Sequence, residues 1–409
     1  MLNQSLGKFG MKNNFCILPW IHLSTRVDGN VAPCCRSMQT VGNIADETLE
    51  QIWNNKHMQK LRKELLNDER PEGCWPCYQL EDQGSVSMRQ TMNKTRNWMY
   101  PFDEDEEHTQ VPFNIPVLEL KLSNLCNFRC RTCKPDLSTT WLKDWAKVKD
   151  EYEDIGWKND TTRQENYNNP EFLANIEKLA PTMEIVEFAG GEPLMDPMHY
   201  KVLEALRPHG EHITVKYSTN LSKLKYGKFD ALEAWKDFRS VDISLSIDGH
   251  PELNEYIRTE ANTKQIAENL KKVKLELGDK FEARAALCYS AWNVMGLPEA
   301  YDYFTFELDL PVHGNIAWAP KFINPQILPV GLKDTAEKKY KAYLEKVKTY
   351  DISTSRKKRI ERFINTNLNF LLAEQKSENW DQFLRFSKKL DASRDTNLFD
   401  IVPEFKRYE

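Results

Sequence analysis

Between residues 117 and 320, six short apolar runs alternate with amphipathic helical patterns, and this alternation limits the possible fold more than any other feature of the chain. VLELKL (117–122), MEIVEFAGGEP (183–193), HITVKYSTN (212–220), VDISLSIDG (241–249), ARAALCYSAWN (283–293) and NIAWAP (315–320) read as strands. DPMHYKVLEALRP (196–208) and TKQIAENLKKVKLEL (263–277) show helical spacing. Repeated strand–helix units predict an α/β fold with a parallel sheet and helices outside it; six of them predict a partial (β/α)6 barrel. Ligands of such sheets gather at the carboxyl ends of the strands. The unusual residues fall there: a cysteine loop, GGEP, STN and SIDG.

At 409 residues the chain is long enough for more than one unit, and 40% apolar and 11% aromatic content exclude a disordered chain. Its 56 basic and 61 acidic residues give a net charge of −5, which argues against a nucleic-acid-coating surface. The opening MLNQSLGKFGMKNNF has no apolar leader core, and no stretch approaches the roughly 18 apolar residues of a membrane span. The expectation is a cytoplasmic protein with no membrane partner and no nucleic-acid partner. DEDEE (103–107) reads as a solvated linker, and KNDTTRQENYNN (158–169) as a surface insertion. Beyond residue 330, EKKYKAYLEKVKTY and RKKRIERFINTNLNFLL read as amphipathic helices with solvated basic faces.

Eight of the nine cysteines precede residue 134, in two sets: Cys16, Cys34, Cys35, Cys74 and Cys77, then Cys126, Cys130 and Cys133. In a reducing compartment such spacing points to metal rather than to disulfides. CNFRCRTC (126–133) can present three thiolates to one face of an iron–sulfur cube, leaving a fourth position for a non-protein ligand. A zinc site completed by a distant residue is the alternative.

With GGEP following the second strand and SIDG the fourth, the loop resembles the radical SAM superfamily over roughly residues 115–320. The resemblance implies that Cys126, Cys130 and Cys133 hold a 4Fe-4S cluster whose open iron is chelated by S-adenosylmethionine. It implies that Glu192 meets the ammonium of the methionine moiety, and that Gly190 and Gly191, lacking Cβ, let the backbone approach the ligand. Ser218, Asn220, Ser246 and Asp248 are candidates for the ribose hydroxyls or the methionine carboxylate, or else turn and cap residues. Arg258 resembles the family arginine that pairs with that carboxylate, with a helix-surface ion pair as its alternative. Asn293 is a further candidate. The residue before the third cysteine, often aromatic in the family, is Thr132 here, so an adenine contact falls to backbone or to Phe128.

FCILPWIHLSTRVDGNVAPCC, with VDGNV as a hairpin turn, can bring Cys16 beside Cys34, and PEGCWPC (71–77) is a loop presenting a Cys-x-x-Cys pair. Spacing alone leaves a four-cysteine zinc knuckle open. The set resembles the SPASM/twitch extension, which implies an auxiliary 4Fe-4S cluster on Cys16, Cys34, Cys74 and Cys77, with Cys35 spare or alternate. The extension usually follows the barrel; here it precedes it. Cys288, inside a strand between Leu287 and Tyr289, is expected in the core.

The expected division is an auxiliary-cluster domain over 1–84, a linker over 85–114, the barrel over 115–325 and a helical region over 326–409. The resemblance implies reductive cleavage of S-adenosylmethionine to a 5′-deoxyadenosyl radical that takes a hydrogen atom from a substrate. An open barrel admits a peptide or protein side chain; dehydrogenation of a small molecule is the alternative. The implied electron donor is of the flavodoxin or ferredoxin type, and the auxiliary cluster assists electron transfer. A non-catalytic iron–sulfur carrier would explain the cysteines but not GGEP or SIDG. A zinc-stabilised binding module would want four ligands at the central loop, which offers three. No catalytic acid or base is singled out.

Overall fold

A computed structural model describes residues 12–103, 107–155, 167 and 169–409. Most of the acidic run and of the 158–169 insertion lie outside the described residues. Nine strands form one sheet. They are β1 (His22–Thr25), β2 (Asn30–Ala32), β3 (Gly42–Asn43), β4 (Val117–Lys121), β5 (Ile185–Ala189), β6 (Thr214–Thr219), β7 (Ser240–Ser246), β8 (Phe281–Tyr289) and β9 (Val312–Ile316). Their order is β9-β8-β7-β6-β5-β4-β1-β2-β3. From β4 to β9 every neighbouring pair is parallel, so the six strand–helix units close into the expected partial barrel.

Strand parity sorts the side chains of this sheet between its two faces. Leu118 and Leu120, Val186 and Phe188, Val215 and Tyr217, Ile243 and Leu245, and Leu287 and Tyr289 are buried. The alternate positions Glu119, Glu187, Lys216, Asp242 and Arg284 face the interior cavity. Helices such as Pro197–Leu206 and Thr263–Leu277 cover the outer face. The first starts under an Asp196 cap and the second under an Asn262 cap.

The amino-terminal region joins the same sheet. β1 pairs in parallel with β4, setting His22 opposite Val117 and Ser24 opposite Glu119, and β2 and β3 continue antiparallel. The VDGNV turn is not the two-residue primed turn that Asp-Gly suggests. Arg26 N donates to Asn30 O across a three-residue loop in which Gly29 alone has positive φ, at 82°. Helices Val330–Lys348, Thr354–Ala373 and Trp380–Arg394 complete the carboxyl-terminal region. No helix among the described residues is long and apolar enough to cross a membrane.

Candidate active site

The cysteine loop leaves the carboxyl end of β4 and folds back over it. Ser123 O accepts from Gly191 N at 3.0 Å, and Leu125 O accepts from Glu192 N at 2.7 Å. These contacts set the need for the two glycines. A Cβ on Gly190, whose φ is +110°, would lie 2.9 Å from Ser123 O, and one on Gly191 would lie 2.3 Å from Leu125 O. The close approach is therefore to the cysteine loop itself, which the sequence does not disclose.

Charge pins the loop from the other side. Arg129 Nη1 reaches both carboxylate oxygens of Asp144, at 3.0 and 2.9 Å, and its other nitrogens meet Glu260. Arg131, fully buried, meets Asp391 at 2.6 Å, donates to Tyr256 O at 2.9 Å and stacks 3.8 Å from the Tyr256 ring centroid. Arg394 closes the network on Asp144 at 3.0 Å. Burial works against the Asp144 charge, but the Ser393 hydroxyl, Arg394 and Arg129 outweigh it and hold the carboxyl below its usual range. Helix Trp380–Arg394, in a region read only as amphipathic, thus supports the three-cysteine loop.

Cys126, Cys130 and Cys133 line one cavity of about 600 Å³ together with Gly190, Gly191, Glu192, Ser218, Asn220, Ser246, Arg258, Phe128 and Thr132. Glu192 is buried and accepts from Thr219 Oγ1 at 2.5 Å, Asn220 N at 2.8 Å and Leu194 N at 3.2 Å. Burial raises its pKa despite those donors. Arg258 stands with Nη1 3.8 Å from Cys130 Sγ and Nε 2.9 Å from Asp248. Asp248 is not brought to the cavity wall: it lies fully buried behind Arg258 and accepts from Cys288 N at 2.8 Å. Asn293 is likewise turned inward, donating to Asp248 O and Cys288 O.

Cys288 departs from the expectation of core burial. It is half-buried and lines this cavity, because it shares the inward parity of Arg284 and Ala286 while Leu287 and Tyr289 take the buried face. That parity was the available signal. A second cavity, of about 590 Å³, lies along helix Trp380–Arg394 and holds none of these groups.

At the other thiol set, Cys16 precedes the short 3-10 turn Leu18–Trp20, and Cys34 follows β2. Cys74 caps helix Trp75–Asp82 and Cys77 occupies its first turn, so PEGCWPC is a helix start rather than a free loop. The thiols of Cys16, Cys34, Cys74 and Cys77 lie within electrostatic reach of one another, and burial pushes Cys34 up to about 11 and Cys74 to about 12. Gly73 O accepts from Met38 N at 2.9 Å, tying the Cys34 loop to the Cys74 turn. Cys35 Sγ lies 3.7 Å from Met88 Sδ and within electrostatic reach of Cys34. Because β1 runs parallel to β4, Cys16 and Cys34 lie toward the amino end of the barrel strands and Cys126–Cys133 toward the carboxyl end.

The donor chemistry suits soft metal centres in both places. Burial leaves Cys133 at about 12, a protonated thiol near neutrality unless a metal takes the proton's place. Among the described residues, no three His, Cys, Asp or Glu side chains gather tightly enough for a single metal ion.

A parallel partial barrel with three thiols and a Gly-Gly-Glu turn at the carboxyl ends of its strands defines a class of iron–sulfur enzyme. Residues 120–277 match the family model of the radical SAM superfamily, and residues 16–78 match that of the SPASM iron-sulfur cluster-binding domain. The chain therefore carries a radical SAM domain preceded by a SPASM domain, and the two imply a SAM-binding 4Fe-4S cluster, an auxiliary cluster and S-adenosylmethionine. Among solved structures, native anSMEcpe with bound AdoMet is 18% identical at a TM-score of 0.36, over 56% of this chain and 58% of that one. SuiB of Streptococcus suis bound to S-adenosylmethionine is 14% identical at 0.33, over 71% and 53%. The chain thus spans less than two thirds of the length of either. No curated protein matches it.

Proposed function

We propose that this radical SAM protein reductively cleaves S-adenosylmethionine and uses the resulting 5′-deoxyadenosyl radical to take a hydrogen atom from a peptide or protein side chain. The observation that carries the reading is the single cavity shared by Cys126, Cys130, Cys133, the Gly190–Glu192 turn and Arg258. In this reading the three thiols hold the SAM-binding cluster, and Cys16, Cys34, Cys74 and Cys77 hold the auxiliary one. Bound there, the clusters and S-adenosylmethionine supply electron transfer and hydrogen-atom abstraction.

The chain's own residues bind and orient. Glu192 offers carboxylate oxygens to an ammonium, and its three internal donors fix their direction. Arg258 presents the rest of its fork to a carboxylate while Asp248 holds its Nε. Ser218, Asn220 and Ser246 offer short polar groups to ribose hydroxyls. Phe128 closes the apolar wall where Thr132 replaces an aromatic residue. Asp248 acts as a positioning residue.

The sheet stays open between β9 and β3, and the exposed His313 and Asn315 on β9 mark a side by which an extended chain can enter. This favours a peptide over a small molecule. Nine cysteines with no disulfide among them fit a reducing, cytoplasmic setting with a flavodoxin- or ferredoxin-type donor. The division at 1–84, 85–114, 115–325 and 326–409 belongs to the same proposal.

The test is equilibrium binding of S-adenosylmethionine to anaerobically loaded protein. Arg258→Lys and Glu192→Gln should each weaken binding about tenfold, the loss of one charge-assisted contact. Undiminished binding in both variants would contradict the assignment.

A further inference from the structure

β9 forms one edge of the sheet, with β8 as its one strand neighbour. Among the described barrel strands it is the one in which no residue is buried. Its register with β8 runs unbroken from Val312 to Ile316, so no bulge twists the edge away. Ala285 N donates to Pro311 O and Ala317 N to Tyr289 O, both at 2.9 Å, which turns the backbone of the odd-numbered residues toward β8. Backbone groups of alternate residues in a parallel strand face opposite edges. The N–H and C=O of Val312, Gly314 and Ile316 therefore point outward, and none of them has a hydrogen bond among the described residues. Edge strands are commonly blunted by lysine, proline or a bulge; VHGNI carries none of these.

The surroundings of this edge are cationic. Arg36, Lys321 and Arg359 are exposed, and their side chains have no ion pair or hydrogen bond among the described residues. Arg36 lies within electrostatic reach of His313, on the lumen side of β9. Arg359 precedes Phe363 by one helical turn, and that ring covers the other side: a Cβ on Gly314 would lie 2.8 Å from it. Lys321 follows the strand's end, just past Ala319 in the wall of the cysteine cavity. Asp309, the last acid before β9, pairs with Lys274 and Arg356, and no further acid occurs until Asp334. Beyond the strand, the exposed Trp318 ring stands edge-on to Phe370 at 4.9 Å, an apolar seat beside the charges.

We propose that the outer edge of β9 is a docking edge for an extended, acidic peptide segment, which adds to the sheet as a further strand. An extended chain meets outward N–H and C=O groups spaced at every second residue, and its backbone supplies the affinity. Its alternate side chains then fall on the Arg36 side and on the Arg359 side, so acidic residues of either parity find a cation. β9 runs toward Ala319, so the added strand brings the next segment of the peptide to the mouth of the three-cysteine cavity. The inference deepens the peptide reading above and rests on it for what happens to that segment, but not for the docking itself. A second copy of this chain, paired edge to edge, is the competing occupant. Such a pair would bring the same cations face to face, which like charges oppose.

The experiment uses the full chain, purified and cluster-loaded without oxygen, and two capped, fluorophore-labelled probes. One is the peptide Glu-Thr-Glu-Leu-Glu-Thr-Glu, and the other has lysine in place of each glutamate. Fluorescence anisotropy reads binding, and hydrogen exchange followed by mass spectrometry reads the edge. The acidic peptide should bind saturably and at least about tenfold more tightly than the basic one. It should slow exchange at the amides of Val312, Gly314 and Ile316. Ile316→Pro removes an outward N–H without touching the β8 ladder and should weaken binding about tenfold. Arg359→Glu should weaken the acidic peptide by a similar factor, and provides a second reading should the proline variant fail to fold. Binding that ignores charge or survives both substitutions, or unchanged exchange over 312–316, would overturn the proposal. A chain that sediments as a dimer, with the same amides protected when no peptide is present, would overturn it in favour of the second copy. Failure of the radical reading would show separately, as no 5′-deoxyadenosine formed by protein that still binds the acidic peptide.

Discussion

Cys126, Cys130 and Cys133 sit on an irregular loop clamped by partners from the carboxyl-terminal helix, whereas the contacts around Cys16, Cys34, Cys74 and Cys77 come from within the amino-terminal region. Arg131 finds Asp391, 260 positions on, and Asp144 is shared by Arg129 and Arg394. At the amino-terminal set, Phe15 stacks on Trp20 at 5.3 Å between ring centroids, and Arg89 joins Phe15 O to Glu81. The contrast says which site survives damage to the other. The four-thiol set should assemble without the carboxyl-terminal helix, and the three-thiol loop should not. On the proposed ligand sets it also separates two tasks: three thiols would leave a coordination position open, and four would close it.

The largest expected effect breaks the contrast at its chemical centre. Cys130→Ala should lower S-adenosylmethionine cleavage at least about a thousandfold, equivalent to roughly 4 kcal/mol of lost transition-state stabilisation, while the iron of the amino-terminal set remains. Deoxyadenosine release and iron content measured on one preparation check both halves. Arg131→Ala leaves Asp391 without its buried partner and should cost about 3–5 kcal/mol. Denaturant unfolding should show that loss, with iron leaving the three-thiol loop first.

Gly191→Ala drives a methyl into Leu125 O and should cost about 1–3 kcal/mol, with weaker S-adenosylmethionine binding by equilibrium dialysis and no change at the other set. Cys74→Ser should reverse the pattern: iron falls, while cleavage without substrate stays within about twofold, a change of some 0.4 kcal/mol. Cys35→Ser should be the quietest, with iron and sulfide unchanged, since its thiol has Met88 Sδ as its hydrogen-bonding neighbour.

The six barrel strands were legible because each is an apolar run ending in a turn, and their observed spans fall on the expected ones apart from a shift of a few residues at β8 and β9. Helix 263–277 matches to the residue, since Asn262 caps one end and Gly278 the other. The cysteine sets were legible as clusters. Their supports were not, because nothing local to Arg131 names Asp391, and nothing local to Asp248 says that it turns inward to Arg258. The docking of β1 along β4 was hidden for the same reason, since strand pairing across 95 positions leaves no trace in either strand alone. Cys288 was misplaced by judging its neighbours instead of its parity, and the lumen charges escaped notice because they alternate with the apolar residues that define the strands.

The most direct test of the account is to load the protein without oxygen, count iron and sulfide, then add dithionite and S-adenosylmethionine and measure 5′-deoxyadenosine. The account predicts about eight irons per chain, as two cubes require, with deoxyadenosine formed by the wild type and none by Cys130→Ala. Fully loaded protein that is reduced yet releases no deoxyadenosine would contradict it.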